Sequence, residues 1–406
     1  MKNTWIWIIA LALLFSCFAS AAWGGSDSAL QPGRKTPNSQ FQRAELTSPT
    51  YLWANWVAIS GQTAVVPDCS GPLDIYIQPS GGWENVASPN AVLRTSDGVA
   101  PFGVGISGNT IIAQSNSTIY VWEKPAGGWV DMSSETAKLT SSDGAEFNIV
   151  ATSGNTIIAG AFQQTVHGVK DAGAAYVFVE PAGGWSNGTE NAILTAANAD
   201  CKNGCYFGTA VAIDGETIVV GAPETTLGSA YDAGAVYIFV KPAGGWVNMT
   251  QTAELTSANP FTEEVGRVVA IQGSTVVAST WAEVWALFVF EEPAGGWSDA
   301  TQAAILSPAN QNQVNEFGLS LAVSSGGKII MAGDPEGNNH YRGDVYVYRK
   351  PAGGWTNATQ NMVLTANDGQ PEDLFGQSIS LSGSVLLIAA PVDSDPFCSG
   401  KAYIFQ

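Results

Sequence analysis

From residue 43 onward the chain alternates apolar and polar residues in short runs, each closed by Gly, Pro, Asn or Asp. This period-two pattern predicts half-buried strands joined by tight turns. The stretch from Phe207 to Thr256 holds one complete set. Phe207 to Ile213 reads as a first strand, turned by Asp214-Gly215. Glu216 to Val220 returns as a second strand ending in Gly221-Ala222-Pro223, and a loop runs from Glu224 to Ala233. Gly234 to Phe239 is a third strand whose aromatics recur two apart, as pleating requires. Pro242 to Trp246 turn the chain, and Ala253 to Thr256 make a short fourth strand.

The set repeats. Pro-Ala-Gly-Gly-Trp ends at Trp129, Trp185, Trp246, Trp297 and Trp355, and Pro79-Ser80-Gly81-Gly82-Trp83 is a sixth copy. Fourth strands recur around Leu93, Leu139, Leu194, Leu306 and Leu364. Third strands fall at 73–77, 118–122, 173–178, 234–239, 287–290, 343–348 and 400–405, which makes seven. The last is followed only by Gln406, so it has no fourth strand of its own. Arg43-Ala44-Glu45-Leu46-Thr47 is a fourth-strand sequence with no first strand before it. Pairing the two ends gives an all-β, seven-bladed β-propeller of four-stranded antiparallel blades. Its ring is closed by an N-terminal strand that completes blade seven, leaving only short, protected edges.

These residues resemble the FG-GAP repeat found in the propeller of integrin alpha subunits and in many secreted bacterial proteins. Phe-Gly occurs at Phe102-Gly103, Phe207-Gly208, Phe317-Gly318 and Phe375-Gly376. Gly-Ala-Pro is intact at Gly221-Ala222-Pro223 and decays to Gly333-Asp334-Pro335 and Ala389-Ala390-Pro391. The resemblance implies an extracellular recognition or adhesion module. In integrin-like members calcium sits between the first two strands in a run of carboxylates. Here those hairpins are Ser60-Gly61, Ser107-Gly108, Ser153-Gly154, Asp214-Gly215, Gln272-Gly273, Ser325-Gly326 and Ser382-Gly383. A hard cation needs six or more oxygens, so calcium of that type is not expected, nor is any other metal or cofactor.

The N-terminus reads as a secretory signal peptide over residues 1–21, with Lys2, an apolar run from Trp5 to Phe18, and Ala19-Ser20-Ala21. A lipid at Cys17 and retention of the apolar run as an anchor are the alternatives. Residues 22–42 read as a linker and 43–406 as one propeller, with no integral span in the mature chain. All three versions place the protein at the cell surface or outside the cell.

Charge narrows the partners. Asp and Glu number 35 against 16 Lys and Arg, a net charge of −19, made one unit more negative if Lys2 leaves with the signal peptide. That excludes nucleic acid, which demands clustered Lys and Arg, and favours basic or neutral partners. With two His residues, multi-histidine chemistry is also excluded.

In a four-stranded blade the 1–2 and 3–4 turns share one face and the 2–3 and 4–1 loops share the other. The 1–2 turns are near-identical, whereas the 2–3 loops vary, and scaffolds place recognition on variable loops. Ligand-binding candidates on this loop face are His167, Lys170 and Asp171, then Glu224, Tyr231 and Asp232, then Trp281 and Glu283. His340, Tyr341 and Arg342 follow in blade six, with Asp393 and Asp395 in blade seven.

Competing readings attach to several motifs. The Gly-Gly-Trp rings either pack blade edges or stack on sugars. Cys201 and Cys205 are expected to staple one loop, and Cys69 with Cys398 to bridge blades one and seven; free thiols are the alternative for the latter pair. The two His residues lie in different blades, which argues against zinc. Arg342-Gly343-Asp344 coincides with the repeat's own third-strand glycine. Asn116, Asn187, Asn248 and Asn357 lie in Asn-x-Ser/Thr sequons, the last three at one repeat position suited to turn capping. No nucleophile elbow, phosphate loop or His-Glu-x-x-His is present, and no catalytic residue is assigned. The sequence thus favours a non-enzymatic binding or adhesion propeller for a protein partner. A glycan-binding lectin is second, and a polysaccharide hydrolase or lyase using Glu263, Glu264, Glu372 or Asp373 third.

Overall fold

The computed structural model describes residues 41–49, 52, 55–197, 201, 204–260, 263–281, 285–392 and 399–406. These form seven sheets. In each blade the first three strands and the fourth are antiparallel neighbours; in blade one they are Ala58–Ser60, Thr63–Pro67, Leu73–Ile77 and Ala91–Leu93. The first strands of successive blades touch in a closed cycle that includes the contact between blades seven and one. The apolar core is correspondingly divided into seven clusters, each in a seam between neighbouring blades.

The ring closes as the sequence requires. Strand Gln42–Leu46 pairs antiparallel with Lys401–Phe405, with Ala44 opposite Ile404 and Leu46 opposite Ala402. It begins at Gln42, the last residue assigned to the linker. Leu46 is fully buried in the closing seam beside Leu387 and Ile404; that burial contributes roughly 2 kcal/mol. At the inner end of the seam, Val57, Ile59 and Gly61 donate backbone N–H bonds of 2.9–3.1 Å to the hydroxyls of Ser378, Ser380 and Ser382.

The 1–2 turns differ by one position from the sequence reading. Ser60 pairs with Thr63 and Asp214 with Thr217, so the turn residues are Gly61-Gln62 and Gly215-Glu216. Both glycines have φ near +57, and glycine at the first central position is what a type II′ hairpin turn demands. The displaced Ser or Asp ends its strand and accepts the N–H of the next blade's turn glycine. Gly108 donates to Ser60, Gly154 to Ser107, Gly215 to Ser153 and Gly273 to Asp214. Blade six is an exception: Ser324 to Lys328 make a wider turn, closed by Gly327 N–H on the Ser324 carbonyl.

Four blades gain a fifth strand that the sequence reading lacks. Gly188–Thr189, Met249–Thr250, Ala300–Thr301 and Ala358–Thr359 run parallel to the fourth strand of the preceding blade. Each lies just after a repeat tryptophan. Two residues past that tryptophan stand Asn85, Asp131, Asn187, Asn248, Asp299 and Asn357. Every one accepts a backbone N–H of the preceding blade's outer strand at 2.8–3.0 Å. A residue on the following blade thereby satisfies an edge strand's open donor. Three sequon asparagines are thus interblade clamps.

The Phe-Gly and Gly-Ala-Pro glycines have a joint cause. A Cβ on Gly160, Gly221 or Gly333 would stand 1.9–2.1 Å from the carbonyl oxygen of Gly208, Gly266 or Gly376 in the next blade. The Phe beside the glycine packs on its blade's third-strand aromatics, as Phe207 does on Tyr237 and Phe239. Phe102-Gly103 is not equivalent. It lies two residues closer to its hairpin than Phe207-Gly208, is half-buried, and meets Trp56 at 6.0 Å.

Cys201 and Cys205 form the expected disulfide, with Cα atoms 4.9 Å apart. Cys69 is also disulfide-bonded, while its expected partner Cys398 lies outside the described residues, as does the N-terminal segment through residue 40. No helix among the described residues is long and apolar enough to cross a membrane.

The glycine contact gives a direct test. Gly221→Ala drives a methyl into a backbone carbonyl that cannot rotate away, and should cost about 2 kcal/mol or more in chemical denaturation. Gly244→Ala, with open space around the site, should cost under about 1 kcal/mol. Equal losses would refute the close approach.

Candidate recognition face

The loop face is built by pairing loops across blade boundaries. The 2–3 loop of one blade accepts backbone bonds from the 4–1 connection entering the next. Asp171 accepts from Cys205 and Tyr206, Asp232 from Glu264, His340 from Glu372, and Tyr341 from Leu374. Eleven non-glycine residues among those described have φ between +46° and +70°, and all eleven lie on 2–3 or 4–1 loops. They include His167, Asp171, Asp232, Glu264, His340 and Tyr341. Left-handed backbone is costly for such side chains and persists where surroundings enforce it. None falls on the hairpin face.

The candidate residues separate into groups. His167 is exposed at the rim of a cavity of about 190 Å³ shared with Val166, Val169, Thr195 and Cys201. Lys170 is 85% exposed beside Asp171 at 3.6 Å. Asp171, Glu224 and Asp232 do come together, joined by Glu264. Burial first, then Asp232, Glu264 and Asp171, push the Glu224 carboxyl up to about 7. Burial, with Glu224 and Asp171, also raises Tyr206 to about 12. Tyr231 is exposed on blade four, and His340, Tyr341 and Arg342 are exposed on blade six. Glu283, Asp393 and Asp395 lie outside the described residues.

At the seam of blades five and six, sequence reasoning named Trp281 but missed the residues around it. Arg267 opens blade five with its guanidinium 3.4 Å above the Trp281 ring and 3.6 Å from Glu264. Trp285 stands edge-on to Trp281 at 5.1 Å, its backbone gripped by the Gln311 amide through two bonds. With Glu316 and Phe317 these residues line a narrow cleft between blades five and six. Burial pulls Arg267 down to about 10, against the favourable fields of Glu264 and Glu316. Glu316 is pushed up to about 7 by burial, then by Glu336. Asp334 is fully buried and raised to about 6 by burial, although its Oδ1 accepts the Asn315 and Glu316 N–H groups. Its place in the decayed Gly-Asp-Pro was the available signal: a carboxylate stands where other blades have Ala161 or Ala222.

Other motifs resolve into structural parts. The six repeat tryptophans are 5–8% exposed, too buried to present a stacking surface for sugars. Asp344 of the Arg-Gly-Asp tripeptide is buried within a strand. Glu264 is paired with Arg267, and Asp373 accepts the Gln370 N–H. Among the described residues, no group of three or more His, Cys, Asp or Glu side chains is placed to hold a metal.

Fold and loop architecture define a binding-type seven-bladed β-propeller. The family model for the FG-GAP repeat matches residues 133–178, 189–239 and 358–405, which end in the third strands of blades three, four and seven. No curated protein matches the chain. Of solved structures, a chain of a mitotic checkpoint complex is 14% identical with a TM-score of 0.56, covering 95% of this chain and 99% of its own. The computationally designed Ika8 protein is 13% identical with a TM-score of 0.49, covering 90% and 99%. Kluyvelomyces marxianus Hsv2 is 9% identical with a TM-score of 0.49, covering 81% and 85%. At such identities the likeness concerns the fold alone.

The crowded carboxyls set a pH dependence. Glu224 and Glu316 titrate near 7 when folded, above an ordinary unfolded glutamate, so the folded state binds their protons more tightly. Their contribution is full below the unfolded value and is lost as pH rises through about 7. Thermal melting should therefore rise from pH 8 to pH 5.5, and Glu224→Gln with Glu316→Gln should flatten the slope. A slope unchanged by both substitutions would contradict the assignment.

Proposed function

We propose that this chain is a non-enzymatic, exported binding or adhesion propeller that recognises a protein partner through its 2–3 and 4–1 loops. The observation that carries this reading is the confinement of left-handed non-glycine backbone to that face. Strain of this kind is retained where a surface must hold a fixed shape. The hairpin face is its opposite, assembled from near-identical turns with little to distinguish one blade from the next. Buried repeat tryptophans weigh against the lectin alternative. Two of the four carboxylates considered for hydrolysis are engaged locally, Glu264 by Arg267 and Asp373 by a backbone donor. Export is supported by the disulfide-bonded cysteines, which suit an oxidising compartment, and by the signal-like N-terminus.

Arrays of extracellular proteins and of glycans, probed with the full chain and with a Tyr231→Ala/Tyr341→Ala variant, test the proposal. Binding to a protein target that falls at least about tenfold in the variant is the expected result. Binding to glycans alone, or polysaccharide turnover abolished by Glu263→Gln, would overturn it.

A further inference from the structure

The loop-face reading can be taken one step further, to the class of partner. The two large aromatics most exposed among the described residues are Tyr231 at 69% and Tyr341 at 46%. They top the 2–3 loops of blades four and six. Between them blade five presents half-buried Trp281 and Trp285. Three consecutive blades thus carry an aromatic arc on one face, and exposed Tyr and Trp beside Arg is the composition of binding hot spots.

Carboxylates lie between the rings. Glu224 and Glu264 stand on the blade-four side of Trp281, and Glu316 stands on its blade-six side. Asp334, fully buried behind Glu316, has an Oδ2 with no hydrogen-bond partner, directed at the backbone of Gly337 in the blade-six loop. A buried carboxyl of this kind stays charged only where a cation or donor stands nearby, and otherwise takes up a proton. The molecule displays the fitting chemistry within itself. Arg267 lays its guanidinium on Trp281 while pairing with Glu264, combining cation–π and charge-assisted contacts.

We infer that the loops of blades four to six form a docking surface for a basic polypeptide segment, whose Arg or Lys side chains settle across Tyr231, Trp285 and Tyr341 and against Glu224 and Glu316. The inference rests on the loop-face reading and narrows it. An anionic lipid, phosphate or nucleic acid would meet charge of its own sign here, and the net charge of −19 would repel it at a distance.

Fluorescence anisotropy with the full chain tests this, using a short labelled peptide of alternating Arg and Ser, a Glu-Ser counterpart and a neutral Gly-Ser peptide. The Arg-Ser peptide alone should bind, more weakly as salt rises. Its affinity should fall about tenfold in Tyr231→Ala/Tyr341→Ala and in Glu224→Gln/Glu316→Gln. A charge-matched control on the hairpin face, Glu84→Gln/Glu180→Gln, should change it less than about twofold. Circular dichroism of each variant checks that the fold is retained. Equal weakening by the control would reduce the effect to diffuse charge and overturn the inference, as would binding of the Glu-Ser peptide or failure of the Arg-Ser peptide. If the Arg-Ser peptide fails while an array partner still requires Tyr231 and Tyr341, only the basic partner class falls. If array binding survives loss of both tyrosines, the loop-face reading falls with it.

Discussion

The pairing of Gln42–Leu46 with Lys401–Phe405 is the constraint on which the structure depends. No blade has a core of its own; each buries its faces only against its neighbours. A ring with one open seam would expose two such faces, and here the strand that seals it comes from the other end of the chain. Polar groups reinforce the joint: Lys401 bridges Glu45 at 2.9 Å and Asp368 at 2.5 Å, while the Tyr403 hydroxyl donates to Asp368. The entropic cost of joining distant ends grows only logarithmically with separation, so one well-packed seam can offset it.

Closure also divides the labour between the two faces. On the hairpin face the type II′ turns are linked side chain to backbone around much of the circumference, from Ser382 through Ser60, Ser107 and Ser153 to Asp214. Those turn-glycine donors serve the ring. On the loop face the connections are free to differ in length, and the backbone bonds joining loops across seams hold them in shapes that residues such as Asp232 and Tyr341 would not adopt unaided. Rigidity on one side permits specialisation on the other.

Much of this was legible in the sequence because it is periodic. Blade number and closure follow from counting third strands and finding the orphan at Arg43–Thr47. The candidate face followed from unequal loop lengths. What escaped was whatever depends on contacts between blades. Asn187 and its equivalents read as turn residues because their donors lie roughly 50 residues away in sequence, across a seam. Phe102-Gly103 matched the motif by composition while sitting in a different register. Arg267, Trp285 and Glu316 had no motif at all; their meaning comes from the ring placing blades five and six side by side. Asp334 was visible as a departure from the repeat, yet its burial was not.

Native-state hydrogen exchange at the closing seam tests the account most directly. If closure holds the whole ring, the amides of Ala402 and Ile404 should exchange only through global opening, with the same free energy as Ile238 in the middle of blade four. Exchange at Ala402 and Ile404 through a separate, low-energy opening that leaves Ile238 protected would show the terminal strand to be an ornament and contradict the account.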